Sequence, residues 1–534
     1  MGKASSARIG RRPTCEGSGT AGSGRWRRRA AAGLAALLPG VAVVVAGGIA
    51  GGIAGASAPS VQVDQPCTAS ALSADLAAAA ATPAVPVTIE LAAGCSYAVT
   101  ALGPNGANGT DAFPVIVSGE SVTIDGAGAS ISMASGLAQR FFEVDAGGSL
   151  ALQEVTLTGG DDTSNAGGGA VLSGGTLDVG GSTLSDDTTS TEGGAIVSSG
   201  SLQVSGSTFS DDTAVYDGGA VANGVGNGPA TATITTSTFT NDQVASKVEF
   251  GAGGAIDNGD GGAVGTLAVI DSTFQNDSVG AKGAPGTFTG GAIADGTNGT
   301  GVLTVTGSTF DGDRSGGVGG AIGGGGGDGG SGSVTVTVST FQGNTAGDGA
   351  AVSDMLPGAI VASTFAGNVA TASASSGTLL LSGTIQSSWP TLAADLIAGV
   401  PAGSPPGGVA CHFGGVTAPA SVDGGYDLAF DTSCGLAASS DGVVPGLAGD
   451  LGTLADNRGG ATDTMALVTN GADPAVGVIP SGTADPAGIA GYPDLCGRTD
   501  QTGYTSPAGA GCAVGAYEPG VSVFAPPPPP PPGG

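Results

Sequence analysis

Seven times between about Gly159 and Ala370 the chain writes one pattern, clearest in Gly193–Thr213 as GGAIVSSGSLQVSGSTFSDDT. Leu184, Phe209, Phe239, Phe274, Phe310, Phe341 and Phe365 mark its copies, so the period is 24 to 36 residues. An apolar or alanine residue stands seven places before each of the first six (Leu177, Leu202, Ala232, Leu267, Leu303, Val334). Another stands five before (Val179, Val204, Ile234, Val269, Val305, Val336). Asp187, Asp212, Asp242, Asp277, Asp313, Asn344 and Asn368 stand three after. A repeat of this length belongs to stacked architectures, in which each unit can bury its apolar face only against its neighbours.

Within a unit, apolar and small polar residues alternate, as in Ser201-Leu202-Gln203-Val204-Ser205. That is the signature of a strand with one buried face. No sustained 3.6-residue apolar period occurs between 113 and 390, so crossover helices are not expected. Short strands broken by Gly, Ser, Asp and Asn predict an all-β fold, a right-handed parallel β-helix with like residues stacked about 4.8 Å apart. The phenylalanines should then form an internal aromatic column, and the Gly-Gly-Ala triplets should fall at corners. With 105 glycines and 30 prolines in 534 residues, the chain would read as disordered if it lacked this period.

The GGAI/GGAV and STF-x-x-[DN] elements resemble the repeats of polymorphic outer-membrane-protein-like β-helix proteins, with their GGAI and FxxN signatures. Leu451–Leu467 (LGTLADNRGGATDTMAL), Gly497-Arg498-Thr499-Asp500 and Cys512-Ala-Val-Gly-Ala-Tyr-Glu518 resemble the choice-of-anchor Q domain of bacterial surface proteins. Together the resemblances span roughly 110 to 518. They imply an exported right-handed β-helix displayed at a cell surface. They imply no reaction, because that group shares no catalytic motif.

The chain divides into five stretches. Residues 1–58 hold eight of the 14 Lys/Arg and one of the 44 acids, followed by an uncharged run from Ala30 to Val63 with small residues at Ala56-Ser57-Ala58. This reads as an export signal, cleaved or kept as a signal-anchor that would be the only membrane contact. Residues 59–112 read as an N-terminal cap with a short helix near Leu72–Ala81, and 113–390 as the β-helix. Residues 391–520 form a second end region, and 521–534 a proline-rich spacer.

Beyond residue 58, six bases face 43 acids, a net charge of −37. A nucleic-acid partner is excluded, because binding phosphate needs clustered Lys and Arg. Six cysteines remain there and fall into three local couples, Cys67–Cys95, Cys411–Cys434 and Cys496–Cys512, as expected for disulfides in an exported chain. A zinc site on Cys411-His412 lacks further ligands of matching spacing.

Acids recur in pairs: Asp161-Asp162, Asp186-Asp187, Asp211-Asp212, Asn241-Asp242, Asn276-Asp277 and Asp311/Asp313. A catalytic pair occurs once rather than on every coil, so these are expected to cap turns. Carboxylates stacked about 4.8 Å apart would repel by ~3–4 kcal/mol at an effective dielectric of about 20. Either raised pKa values or a bound cation must relieve that, so calcium along Asp187, Asp212, Asp242 and Asp277 is one expectation, and no other cofactor is implied.

Lys247, Lys282 and Arg314 follow the FxxN position on three successive units, with Phe250 and Phe288 beside two of them. They form the candidate binding set, a basic and aromatic patch able to hold a sugar carboxylate and ring face. The alternative is unrelated solvated loop tips. His412 is the only histidine, which argues against Ser-His or Cys-His catalysis, and no catalytic residue is assigned. Trp389 reads as a core or cap residue. The expected function is an adhesive or interaction rod whose partner is a polysaccharide or a surface protein. The alternatives are a polysaccharide lyase or glycoside hydrolase, which rests on fold analogy, and a structural envelope component.

Overall fold

Leu177, Leu202, Ala232, Leu267, Leu303 and Val334 stand side by side on adjacent parallel strands, each one repeat from the next. The period seen in the sequence is therefore one turn of a right-handed parallel β-helix. The computed structural model describes residues 60–519 apart from 63–66, 227, 246–249, 281–286, 326–329, 355–356, 374, 382–388, 400–407, 414–421, 469–473, 490–493 and 507–510.

Each coil crosses three parallel sheets. On the long face a strand such as Ser201–Ser205 is followed, after a bend, by a short one such as Thr208–Ser210. A two-residue strand such as Thr213–Ala214 makes the short face. After the Gly-Gly-Ala corner, a three-residue strand such as Val221–Asn223 makes the closing face. Among the described residues the three sheets hold 23, 8 and 10 strands.

The corner requires glycine twice. Gly218 has φ +63° and a Cβ there would lie 2.3 Å from the Val221 carbonyl oxygen. A Cβ on Gly219 would lie 1.9 Å from the Gly254 carbonyl oxygen of the next coil. Neither position accepts a side chain without moving backbone.

Three columns run through the interior. Phe209, Phe239, Phe274, Phe310, Phe341 and Phe365 stack with ring centroids 4.7 to 4.9 Å apart and nearly parallel planes. A second column, of serines, was not anticipated from the sequence. Ser182, Ser207, Ser237, Ser272, Ser308, Ser339 and Ser363 follow the long-face bend, where the chain adopts positive φ at Gly206, Thr236, Asp271 and their equivalents. The bend leaves one amide per coil without a ladder partner. From Ser182 to Ser339 each serine N–H donates instead to the Oγ of the next coil's serine, for example Ser237 to Ser272 at 3.2 Å. That Oγ donates to the carbonyl two residues back, Ser272 to Ile270 at 2.9 Å. Ser363 ends the column, its N–H donating to Asp395 Oδ1 at 2.8 Å. The third column is made of the aspartates described below.

The helix Ala69–Ala80, N-capped by Thr68, buries Leu72, Leu76 and Ala79 over the first coils, so the end strands do not expose core. Cys67 is bonded to Cys95, Cys411 to Cys434 and Cys496 to Cys512. Arg140 is fully buried, paired with Asp111 at 3.1 Å and Asp162 at 2.8 Å. Trp389 packs against the core with Phe413 5.9 Å away.

The C-terminal region does more than close an end. Coils continue through Leu396–Ile397, Leu428–Ala429 and Gly442–Val443. The chain then folds back along the outer side of the long face. Outward positions there turn from Thr and Gln in earlier coils to Ala359, Val361, Ala362, Ala393 and Ala394. These form a second core with Leu447, Leu467, Ile479, Leu495 and Val514. No helix among the described residues is long and apolar enough to cross a membrane.

Candidate functional site

The expected basic and aromatic patch separates into different environments. Lys247 and Lys282 lie outside the described residues. Phe250 is 43 % exposed and stacks on Tyr216, centroids 5.9 Å apart. Phe288 is a correction to the sequence expectation, because it is 3 % exposed and packs on Val244 and Val279. Its segment, Thr287–Thr289, pairs with Phe250–Ala252 as an extra two-stranded layer, which turns the ring inward. Arg314 is half-buried on the short face, between Ser278 and Thr345.

Asp161 and Asp162 lie on a strand beside Thr188 and Thr189, and Asp162 pairs with Arg140. From Asp186-Asp187 onward the acid pairs divide into two jobs. The first member occupies a left-handed turn, with φ +56° at Asp186, +58° at Asp211, +60° at Asn241 and +59° at Asn276. Gly312, Gly343 and Gly367 replace it in later coils. The second member points inward. Asp187, Asp212, Asp242, Asp277 and Asp313 have no solvent exposure. Their Oδ1 atoms accept backbone N–H groups of the preceding coil, as Asp242 does from Asp212 at 2.9 Å and Asp277 from Asp242 at 2.8 Å. Burial holds all five carboxyls well above the usual carboxylate range, and neighbouring aspartates add to this in every case. Raised pKa values are one of the two reliefs that such stacking requires.

On the outside of the long face, a groove of about 340 Å³ opens where the folded-back region meets the coils. Thr238, Thr273 and Thr309 form its floor, in register on successive strands, with Gln275 and Asp311 beside them. The antiparallel hairpin of Leu451–Ala455 and Thr464–Leu467 forms the wall, contributing Leu454, Asp456, Thr462 and Asp463. Thr309 Oγ1 donates to the Asp463 carbonyl at 2.5 Å, and Thr462 Oγ1 donates to the Gly307 carbonyl at 2.8 Å. Gln501, 4 % exposed, donates through Nε2 to Thr309 Oγ1 and Thr462 Oγ1, both at 2.8 Å, and so rivets the two parts. The lining offers hydroxyls, an amide and three carboxyl groups, with no basic or aromatic side chain. It suits a neutral ligand rich in hydroxyls and would repel a polyanion.

The motif residues of the C-terminal stretch hold this wall together. The Arg458 guanidinium lies between the rings of Tyr504 and Tyr517, 5.1 and 4.8 Å from their centroids, and donates to the Glu518 carbonyl at 2.7 Å. Arg498 pairs with Asp485 at 2.6 Å in a nearly dry setting. Asp500 Oδ1 accepts from the backbone of Thr502 and Tyr504, and its Oδ2 from that of Glu518. Arg140, Arg458 and Arg498 are therefore engaged in internal bonds. His412 is paired with Asp348, and Cys411 beside it is in a disulfide.

No protein-family model matches the chain, and no curated protein matches it.

Proposed function

We propose that this chain is an exported β-helix rod that acts as an adhesive or interaction scaffold, binding a neutral glycan in the groove between the threonine ladder and the C-terminal hairpin. The observation that carries the proposal is the lining of that groove: Thr238, Thr273, Gln275 and Asp311 facing Asp456 and Asp463, with no cation among them and with Thr309 bonded internally at its edge. Hydroxyl, amide and carboxylate groups on a rigid repeat match sugar hydroxyls, and the rigid floor limits the ordering cost of binding. Three disulfides accord with an oxidising compartment outside the cytoplasm. The resemblance to choice-of-anchor Q and polymorphic outer-membrane-protein-like repeats supports display at a cell surface.

A second reading is glycoside hydrolysis, favoured by Asp311, Asp456 and Asp463 reaching one groove from separate parts of the chain. Hydrolysis needs two carboxyls flanking a glycosidic bond. A lyase on a uronic-acid polymer is not favoured, since the lining holds no basic residue to meet the sugar carboxylate.

The test is size-exclusion chromatography of the purified protein with neutral and acidic polysaccharides. Co-elution with a neutral polymer of unchanged length, lost in Thr273→Trp, is the expected result. Shortening of the polymer would put the hydrolase reading in its place. Absence of co-elution with every neutral polymer would overturn the glycan assignment.

A further inference from the structure

We infer that Asp423, Asp427 and Asp441 form a binding site for a hard divalent cation, calcium by its chemistry, at the C-terminal end of the coiled part. Asp427 and Asp441 immediately precede the paired strands Leu428–Ala429 and Gly442–Val443, so they stand on successive coils. Asp423 bridges Leu392 in the coil before. One oxygen from each of the three carboxyls lies within 4.8 Å of the others. Oxygens on opposite sides of a calcium ion, each at about 2.3–2.6 Å from it, are separated by a similar span.

The second observation is how each carboxyl is held. One oxygen of each is fixed by backbone N–H groups. Asp423 Oδ2 accepts from Ala437 at 2.7 Å and Ala438 at 2.8 Å. Asp427 Oδ1 accepts from Asp395 at 2.8 Å, and Asp441 Oδ1 from Asp427 at 3.2 Å. The other oxygen of each (Asp423 Oδ1, Asp427 Oδ2, Asp441 Oδ2) is buried without a hydrogen-bond partner. Asp427 has no solvent exposure at all. Three pre-oriented carboxyls thus converge, each with one buried oxygen left unpartnered, an arrangement that an entering cation relieves as protonation also can.

The donor set selects the ion class. All three ligands are carboxylate oxygens, with no cysteine or histidine in the group, which suits calcium or magnesium rather than zinc or copper. Because the backbone fixes the carboxyls and water can complete the shell, the larger and less geometrically demanding calcium is the better match. An ion there would join the last two coils and so lock the base on which the folded-back region rests.

The experiment is calorimetric titration of CaCl2 into EDTA-treated, dialysed protein, with thermal unfolding followed in parallel. Saturable binding with a dissociation constant on the order of 0.1–1 mM is expected, together with a Tm that rises with calcium concentration. Asp441→Asn keeps an oxygen for the Asp427 amide, so it should fold yet lose the Tm rise. Asp217→Asn, in the separate acidic group of Glu192, Asp217 and Asp260, should keep it. If Asp441→Asn fails to fold, terbium emission sensitised by Tyr426 provides the second readout and should fall sharply in Tyr426→Leu. No calcium response at 10-fold above about 1 mM, a response unchanged in Asp441→Asn, or terbium emission unchanged in Tyr426→Leu would each overturn the assignment.

Discussion

Asn344 donates its side-chain amide to the Phe310 carbonyl at 3.1 Å, from the column position that aspartate fills in five earlier coils. Asn368 does the same to Phe341 at 3.0 Å. A protonated aspartic acid has the shape of asparagine and can donate from Oδ2 as asparagine does from Nδ2. The buried Oδ2 atoms of Asp187, Asp212, Asp242, Asp277 and Asp313, which as carboxylates would have no partner, are satisfied in that form. The raised pKa values of these residues and the asparagines farther along the column are one phenomenon.

Stability should therefore fall as pH rises. Each of these carboxyls has a folded pKa above its unfolded value of about 3.9, so the folded state holds the proton more tightly. Their stabilising contribution is complete below about pH 4 and is lost as pH climbs through the folded values. Asp111, pushed up to about 7 by burial, and Asp395, pushed up to about 8 by burial, act in the same direction. Thermal melts by circular dichroism at constant ionic strength should show Tm declining from about pH 4.5 to 9. Asp242→Asn should raise Tm at pH 8 by roughly a few degrees and converge with the parent protein near pH 4. A variant that is less stable at every pH would refute the neutral column.

The aromatic column makes a second prediction. Phe274 lies 4.9 Å from both Phe239 and Phe310, with no solvent exposure. Phe274→Ala should cost about 3–5 kcal/mol in chemical denaturation, because both faces of the cavity lose contacts. Phe274→Leu should cost less, on the order of 1 kcal/mol, since Leu184 already stands in register with Phe209 one coil before the rings begin.

The serine column can be tested by deleting one oxygen. In Ser272→Ala the Ser237 amide loses its acceptor inside the protein. A loss of about 1–3 kcal/mol is expected, the cost of an unsatisfied buried donor. An effect near zero in urea denaturation would show that the column is dispensable.

Gln501→Ala should release the folded-back region without unwinding the coils. The amide serves Thr309 and Thr462 together, and Thr340 Oγ1 donates to its Oε1 at 2.6 Å. Limited proteolysis should cut faster between 446 and 519, while far-ultraviolet circular dichroism stays close to the parent spectrum. Equal protection of that region in the variant would mean that the apolar contacts of the second core suffice.

The repeat made much of the interior legible in the sequence. Phe209 to Phe365 and the glycine corners each recur at one period, and one period is one coil, so residues equivalent in the pattern become neighbours in space. The aspartates recur likewise, but where the pattern predicts caps of local turns they point inward and bond the preceding coil. The serine of STF carried the same signal, but its role depends on a positive-φ bend that alternation alone does not reveal. The burial of Phe288 was likewise not legible, because inserts between repeats have no counterpart from which to infer a direction.

The sequence by itself determined the coil and its aromatic column, because hydrogen bonding in a parallel stack joins residues one repeat apart. Only the tertiary structure decided where the outer surface carries chemistry. The groove joins Thr309 to Asp463 across 154 residues, and Gln501 reaches Thr309 across 192. The Asp423, Asp427 and Asp441 oxygens converge through backbone bonds to Asp395, Ala437 and Ala438. Contacts at such spacings follow from how a non-repeating segment buries its apolar residues on the last coils, and no periodicity in the chain records that choice.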